Sequence, residues 1–114
     1  MSITATMQEI ADKIAAEGVA ATCDPRGATP PCVLVEYPNL RFDVGCGATG
    51  EWSAVAIAPG TANLDAVDAL MPLVAACAAA LPVERADKVQ YMLSADSPAV
   101  PAYRVTFTQG VDVS

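Results

Sequence analysis

The sequence predicts a two-layer α+β domain in which an antiparallel or mixed sheet packs on two helices. Three observations predict it. Apolar residues recur at helical spacing near the N-terminus, and again between Leu64 and Leu81. Runs with strand character stand between those segments and after them. Turn formers separate nearly every pair of runs, giving the order helix, strands, helix, strands.

The first helix is expected over Met7 to Glu17. Thr6 and Glu9 stand three apart, as a capping box requires, and Met7, Ile10, Ala11, Ile14 and Ala15 form one apolar stripe. Gly18 is placed to end it in a left-handed conformation. A short strand at Val19–Cys23 follows, then a loop, Asp24-Pro-Arg-Gly-Ala-Thr-Pro-Pro31, that is dense in turn formers.

Three strands come next. Cys32–Tyr37 is almost continuously apolar and runs into Pro38-Asn39, a turn signal. Leu40–Cys46 alternates, with Leu40, Phe42, Val44 and Cys46 on one face. Gly45-Cys-Gly-Ala-Thr-Gly50 reads as a flexible connection, a hairpin tip. Glu51–Ala58 is the third strand, with Val55 and Ile57 on one face and Trp52, Ala54 and Ala56 on the other. The pattern does not decide which face is buried.

Pro59-Gly60 breaks the sheet. The second helix is expected from Leu64 to Leu81, with Thr61 or Asn63 as cap, and with Leu64, Val67, Met71, Val74, Ala78 and Leu81 on one line. Pro72 has no N–H to donate and should kink this helix near Asp68. Two strands close the chain, Lys88–Ser94 and Ala102–Gln109. In the latter, Tyr103, Val105 and Phe107 share a face opposite Arg104, Thr106 and Thr108. Ala95–Pro101 is the exposed loop between them.

The chain of 114 residues has the size of one domain, spanning 1–114. It carries 54% apolar residues against 17% charged, which suits a packed core, but aromatics are only 5%. A core built on Ala and Val buries little area per residue, so assembly with further copies is expected to add stability. The net charge is −7, and the six bases are scattered, so specific nucleic-acid binding and a polybasic membrane patch are both disfavoured. No signal segment is expected from the residues at the start of the sequence, and Leu70–Leu81 is too short to span a bilayer. Synthesis and retention in a cytoplasm are expected. The four cysteines, Cys23, Cys32, Cys46 and Cys77, form no C-x-x-C pair. They read as small buried hydrophobes, with a Cys23–Cys32 bridge as the alternative.

Catalytic chemistry has little to draw on. There is no histidine, which removes the commonest general base and metal ligand. Asp65 and Asp68 lie one helical turn apart but suit a helix N-terminus better than acid–base work. Asp43 and Glu51 read as solvated strand-end residues. Gly45–Gly50 has G-x-G-x-x-G spacing, yet a strand follows where a nucleotide-binding loop needs a helix. Neither enzyme activity nor a cofactor or metal is expected. The loops are the candidate functional elements, because rigid or glycine-rich loops on a compact sheet commonly carry binding. The candidate interface residues are Asp24, Pro25, Arg26, Pro30 and Pro31 in the first loop, Gly45, Gly47 and Gly50 in the second, and Asp96, Pro98 and Pro101 in the third.

Several segments in order then carry a likeness. They are Ala15-Ala-Glu-Gly-Val19, Thr22-Cys-Asp-Pro25, Pro30-Pro-Cys-Val-Leu-Val35, Gly50-Glu-Trp52, the Ala/Leu-rich 64–81 and Pro101-Ala-Tyr-Arg-Val105. In order and spacing, from about Met7 to Phe107, the chain resembles the tail terminators of long non-contractile phage tails, especially those of actinobacterial hosts. The resemblance implies a structural virion protein of the tail or neck. It implies a ring, usually of six copies, that caps the tail tube protein, stops tube growth and meets the head–tail connector proteins, while DNA passes through the lumen unbound. A neighbouring neck protein, such as a connector or head-completion protein, is the nearest alternative. A small ligand-binding or regulatory α+β module is the alternative of another class.

Overall fold

A computed structural model describes residues 3–43, 47–60, 64–92 and 94–111. The α+β class is as expected: helices lie on a six-stranded mixed sheet. Helix α1 spans Ile3–Ala15. The strands are β1 (Ala21–Thr22), β2 (Cys32–Val35), β3 (Asn39–Asp43) and β4 (Gly47–Ile57). The second helical segment is divided into α2 (Leu64–Asp68) and α3 (Leu70–Ala80). Strands β5 (Arg85–Tyr91) and β6 (Val100–Val111) end the chain. The sheet order is β1-β2-β4-β6-β5, with β3 also paired to β4; only the β1–β2 contact is parallel.

Helix α1 begins at Ile3, so Thr6 lies within it and the expected capping box is not its start. Its apolar stripe holds through Ile14: Ile10, Ala11 and Ile14 are buried and Met7 packs beside them, whereas Ala15, in the last turn, is exposed. Gly18, at φ 93°, follows the last turn, where a left-handed backbone strains any other residue.

The second helical region departs from its expected phase. Ala66, Leu70, Leu73, Ala76 and Cys77 face the core, while Leu64, Val67 and Met71 stand outside at 82%, 38% and 46% exposure. Two apolar lines run along this Ala-rich segment, and the line with the smaller residues lets the helices approach the sheet closely. The helix breaks at Ala69. Pro72 offers no N–H to the Asp68 carbonyl, so the α-helical ladder is interrupted there, as the sequence predicts. The expected caps Thr61 and Asn63 lie outside the described residues.

Strand β4 answers the question its alternation left open: both faces are buried. Trp52, Ala54 and Ala56 join Val33, Val35, Val105 and Phe107 beneath the helices. Val55 and Ile57 join Cys32, Leu34 and Ala102 on the opposite face, against Ala28, Val89, Tyr91 and Val100. The chain between β2 and β3 carries a bulge. Val35 pairs with Ala54 and Asn39 with Glu51, so three residues on one strand face two on the other. The bulge inverts the alternation: even-numbered residues point to the open face in β2 and to the helix face in β3. Leu40 and Phe42 therefore lie on the helix face, but beyond the helices, and are 39% and 66% exposed. The sheet is thus continued past its helical cover by an arm of β3, the first half of β4 and the end of β6, in a molecule 49 × 30 × 21 Å in extent.

Candidate docking surface

The loop at 24–31 is a built turn. Asp24 caps a single 3-10 turn, Pro25–Gly27: its carboxylate accepts from the Arg26 backbone N–H at 3.0 Å, and its own N–H donates to Thr22 Oγ1 at 3.1 Å. Those donors hold its carboxyl below the usual range, the Arg26 backbone bond first and the Arg26 side chain second. Arg26 reaches back to the same carboxylate at 3.4 Å but is 92% exposed. Pro30-Pro31 is a cis bond. The loop leads into β2, and its Ala28 lies against the open-face cluster.

The loop at 95–101 stands at the same end of the sheet, because it joins Tyr91 to Val100, which are paired. Ser97 N–H donates to the Ser94 carbonyl at 3.2 Å, and Asp96 and Pro98 are exposed. Pro101 is not in the loop. It is the second residue of β6, beyond the last β4 pairing at Ala102, where a missing N–H costs the ladder little.

The glycine segment is corrected more strongly. Gly45 lies outside the described residues. Gly47 and Gly50 belong to strand β4, opposite Asp43 and Leu40. Gly50 is buried and structural: a Cβ there would stand 2.5 Å from Trp52 Nε1 and 2.6 Å from Val111 Cγ2. The Trp52 ring, stacked on Phe107 at 6.3 Å, needs that space. Trp52 Nε1 is buried with no hydrogen-bond partner. This segment stands at the far end of the sheet from the two proline loops. Nine residue steps along β4, about 30 Å of strand, separate Ala48 from Ile57.

Sequence reasoning missed two surfaces on which large apolar residues stand exposed together. One is the arm, with Leu40 and Phe42. The other is the shoulder of Leu64, Val67 and Met71. Beside this shoulder a groove of about 510 Å³ runs between α2 and strands β5–β6, lined by Val67, Leu70, Lys88, Gln90, Pro101 and Tyr103 among others. The signal for the arm was available in Pro38, which marks the bulge. The signal for the shoulder was ambiguous because both helix lines are apolar.

A polar cluster on the open face was also missed. Glu36 accepts from Ser53 Oγ at 2.9 Å and from Arg104 Nε and Nη2 at 2.9 and 3.3 Å, bridging three strands. That bond to Glu36 raises the Arg104 pKa, partly opposed by desolvation. The Tyr91 phenol is also pushed up, by burial first and by Glu36 second. The cluster is a structural clamp. Among the described residues, no three His, Cys, Asp or Glu stand close enough to hold a metal. Cys23, Cys32 and Cys77 are free thiols, so the alternative Cys23–Cys32 bridge is absent. No described helix is long and apolar enough to cross a membrane.

The fold and these surfaces define a small α+β domain with two unlike apolar patches, on the arm and on the shoulder, and with Tyr37 and Met92 exposed outside them. The chain matches no protein-family model, and neither a curated protein nor a solved structure is similar to it at a significant level.

Proposed function

We propose that the chain is a structural subunit of a long-tailed phage virion: it forms a ring on the last turn of the tail tube, ends tube growth and presents a surface to the head connector. The observation that carries the ring is the pair of unlike apolar patches, on the arm and on the shoulder. They sit toward opposite ends of β6, about 30 Å apart along the strand. Unlike patches associate head to tail, and head-to-tail association closes into a ring when the rotation allows. The terminator role rests on the ordered segments from Met7 to Phe107 that resemble that family. The two proline loops, with Asp24, Arg26, Asp96 and Pro98, share one end of the sheet and suit contact with the tube or the connector. A net charge of −7 suits a lumen that DNA must slide through without sticking.

The test is tail assembly with and without the protein, read as tube length in electron micrographs. Overlong, headless tubes in its absence, and tubes of normal length on adding it back, are expected. Normal tubes without it rule out the terminator role.

A further inference from the structure

We infer that successive copies join by adding strand β3 of one copy to the open edge of strand β5 of the next, with Arg41 opposite Asp87. The inference deepens the ring reading and rests on it. Among the described residues, β5 pairs only with β6, and β3 only with β4, so both present an open edge. The two edges are compatible in direction. The pairs β3–β4, β4–β6 and β6–β5 are all antiparallel, so β3 of a neighbour meets β5 antiparallel when both copies keep their helices on the same side.

Charge selects the register. On the open face of β5, Arg85 and Asp87 alternate and already pair at 2.9 Å. Setting Arg41 opposite Asp87 places opposite charges directly across the strands, as a stabilising cross-strand pair requires. Sliding the strand by two residues sets Arg41 opposite Val89, with no charge to meet, or opposite Arg85, like against like. The same choice places Phe42 opposite Ala86 and Leu40 opposite Lys88 on the helix face. Leu40 thereby meets the Lys88 end of the groove beside Val67, and Phe42 is covered by the helix face of β5.

The geometry also suits closure. Phe42 lies level with Val111 through Ala48, whereas Ala86 lies level with Val105. Each added copy therefore steps six residues, about 20 Å, along the strand axis while adding four strands, about 19 Å, across it. Strands inclined at roughly 45° result, at the upper end of the range found in closed barrels.

The test is self-association of the full chain by native mass spectrometry and light scattering, with circular dichroism to show that each variant is folded. Arg41→Asp and Asp87→Arg are each expected to weaken association at least tenfold. An equimolar mixture of the two restores it, because every junction in an alternating ring then carries either the native or the exchanged pair. Single variants that assemble like the wild type, or a folded mixture that stays monomeric, overturn the β3–β5 contact. A wild-type chain that is monomeric at high concentration overturns it as well. Tube length separates this from the terminator role: a protein that still ends tubes while the charge variants assemble normally keeps that role and loses this interface.

Discussion

The two halves of the sheet are built from similar residues but are covered differently. Under the helices, β2, β4 and β6 bury Val33, Ala54, Ala56 and Val105 completely. Further along the sheet, past the bulge, β3 of the arm carries Leu40 and Phe42 in solvent. Backbone pairing continues unbroken from one half to the other, from Ile57↔Ala102 to Ala48↔Val111. Strand formation therefore does not depend on local helical cover, whereas the burial of the large side chains Leu40 and Phe42 does. An apolar side chain on the arm contributes little to a single copy and becomes stabilising only when another surface covers it.

Trp52 stands at the seam between the halves, so its removal gives the largest expected effect. It is 1% exposed and stacks on Phe107. Trp52→Ala should cost about 3–5 kcal/mol, from lost transfer energy and the cavity left behind. Trp52→Phe should cost far less, since it keeps a ring and deletes the unpaired indole donor. Chemical denaturation checks both. Equal losses for the two would show that the seam depends on the indole itself rather than on filled volume.

The covered half contains a buried thiol whose titration is shifted. Burial pushes the Cys77 thiol from 9.0 up to about 11. Between those values the unfolded chain has lost this proton and the folded chain still holds it. Stability from this group is full below about pH 9 and falls as pH rises toward 11, by roughly 2–3 kcal/mol for a two-unit shift. Cys32 and Tyr91 are raised too, so the measured quantity is the difference between wild type and Cys77→Ala in thermal melts from pH 8 to 11. The variant should show the shallower alkaline loss. Identical slopes would mean that Cys77 ionises freely in the folded chain.

Gly50→Ala probes the seam from the arm side. The added methyl would meet Trp52 Nε1 and Val111 Cγ2 well inside contact distance. Overpacking of this kind costs about 1–3 kcal/mol. Gly110, opposite Thr49 on the arm, has open space around it, so Gly110→Ala should change little by comparison. Equal melting temperatures for the two variants would break the distinction between seam and arm.

Several of these features were legible in the sequence, and the failures have physical causes. The α1 stripe, the Pro72 break and the Tyr103–Val105–Phe107 face all follow from periodicity and proline chemistry, which local sequence encodes. The orientation of Leu40 and Phe42 depends on the bulge at 36–38, which inserts one residue and inverts every later side chain. Alternation alone shows two faces but not which one the bulge turns inward. The phase of 64–81 failed because Leu64–Val67–Met71 and Ala66–Leu70–Leu73 both satisfy a helical period. Only packing on the sheet chooses between them. Gly47 and Gly50 read as loop formers, yet Gly50 is in a strand because Trp52 occupies the place of its side chain. The Glu36–Arg104 clamp joins residues distant in the chain, and no spacing rule links them.

The smallest expected effect on a single copy belongs to the arm itself. Phe42 is 66% exposed, so Phe42→Ser removes little buried area and should shift monomer stability by no more than about 0.5 kcal/mol. The β propensity lost at an edge position is of similar size. Assembly should respond differently under the proposed β3–β5 contact, in which a second copy covers Phe42. The measurement is a pair of titrations on one preparation: denaturant unfolding of dilute protein, and self-association at rising concentration. Unchanged unfolding with weakened association is the expected result, and it places the value of Phe42 between copies. A large loss in unfolding of the dilute monomer would instead make the arm part of the core. The contrast between covered sheet and bare arm would then not hold.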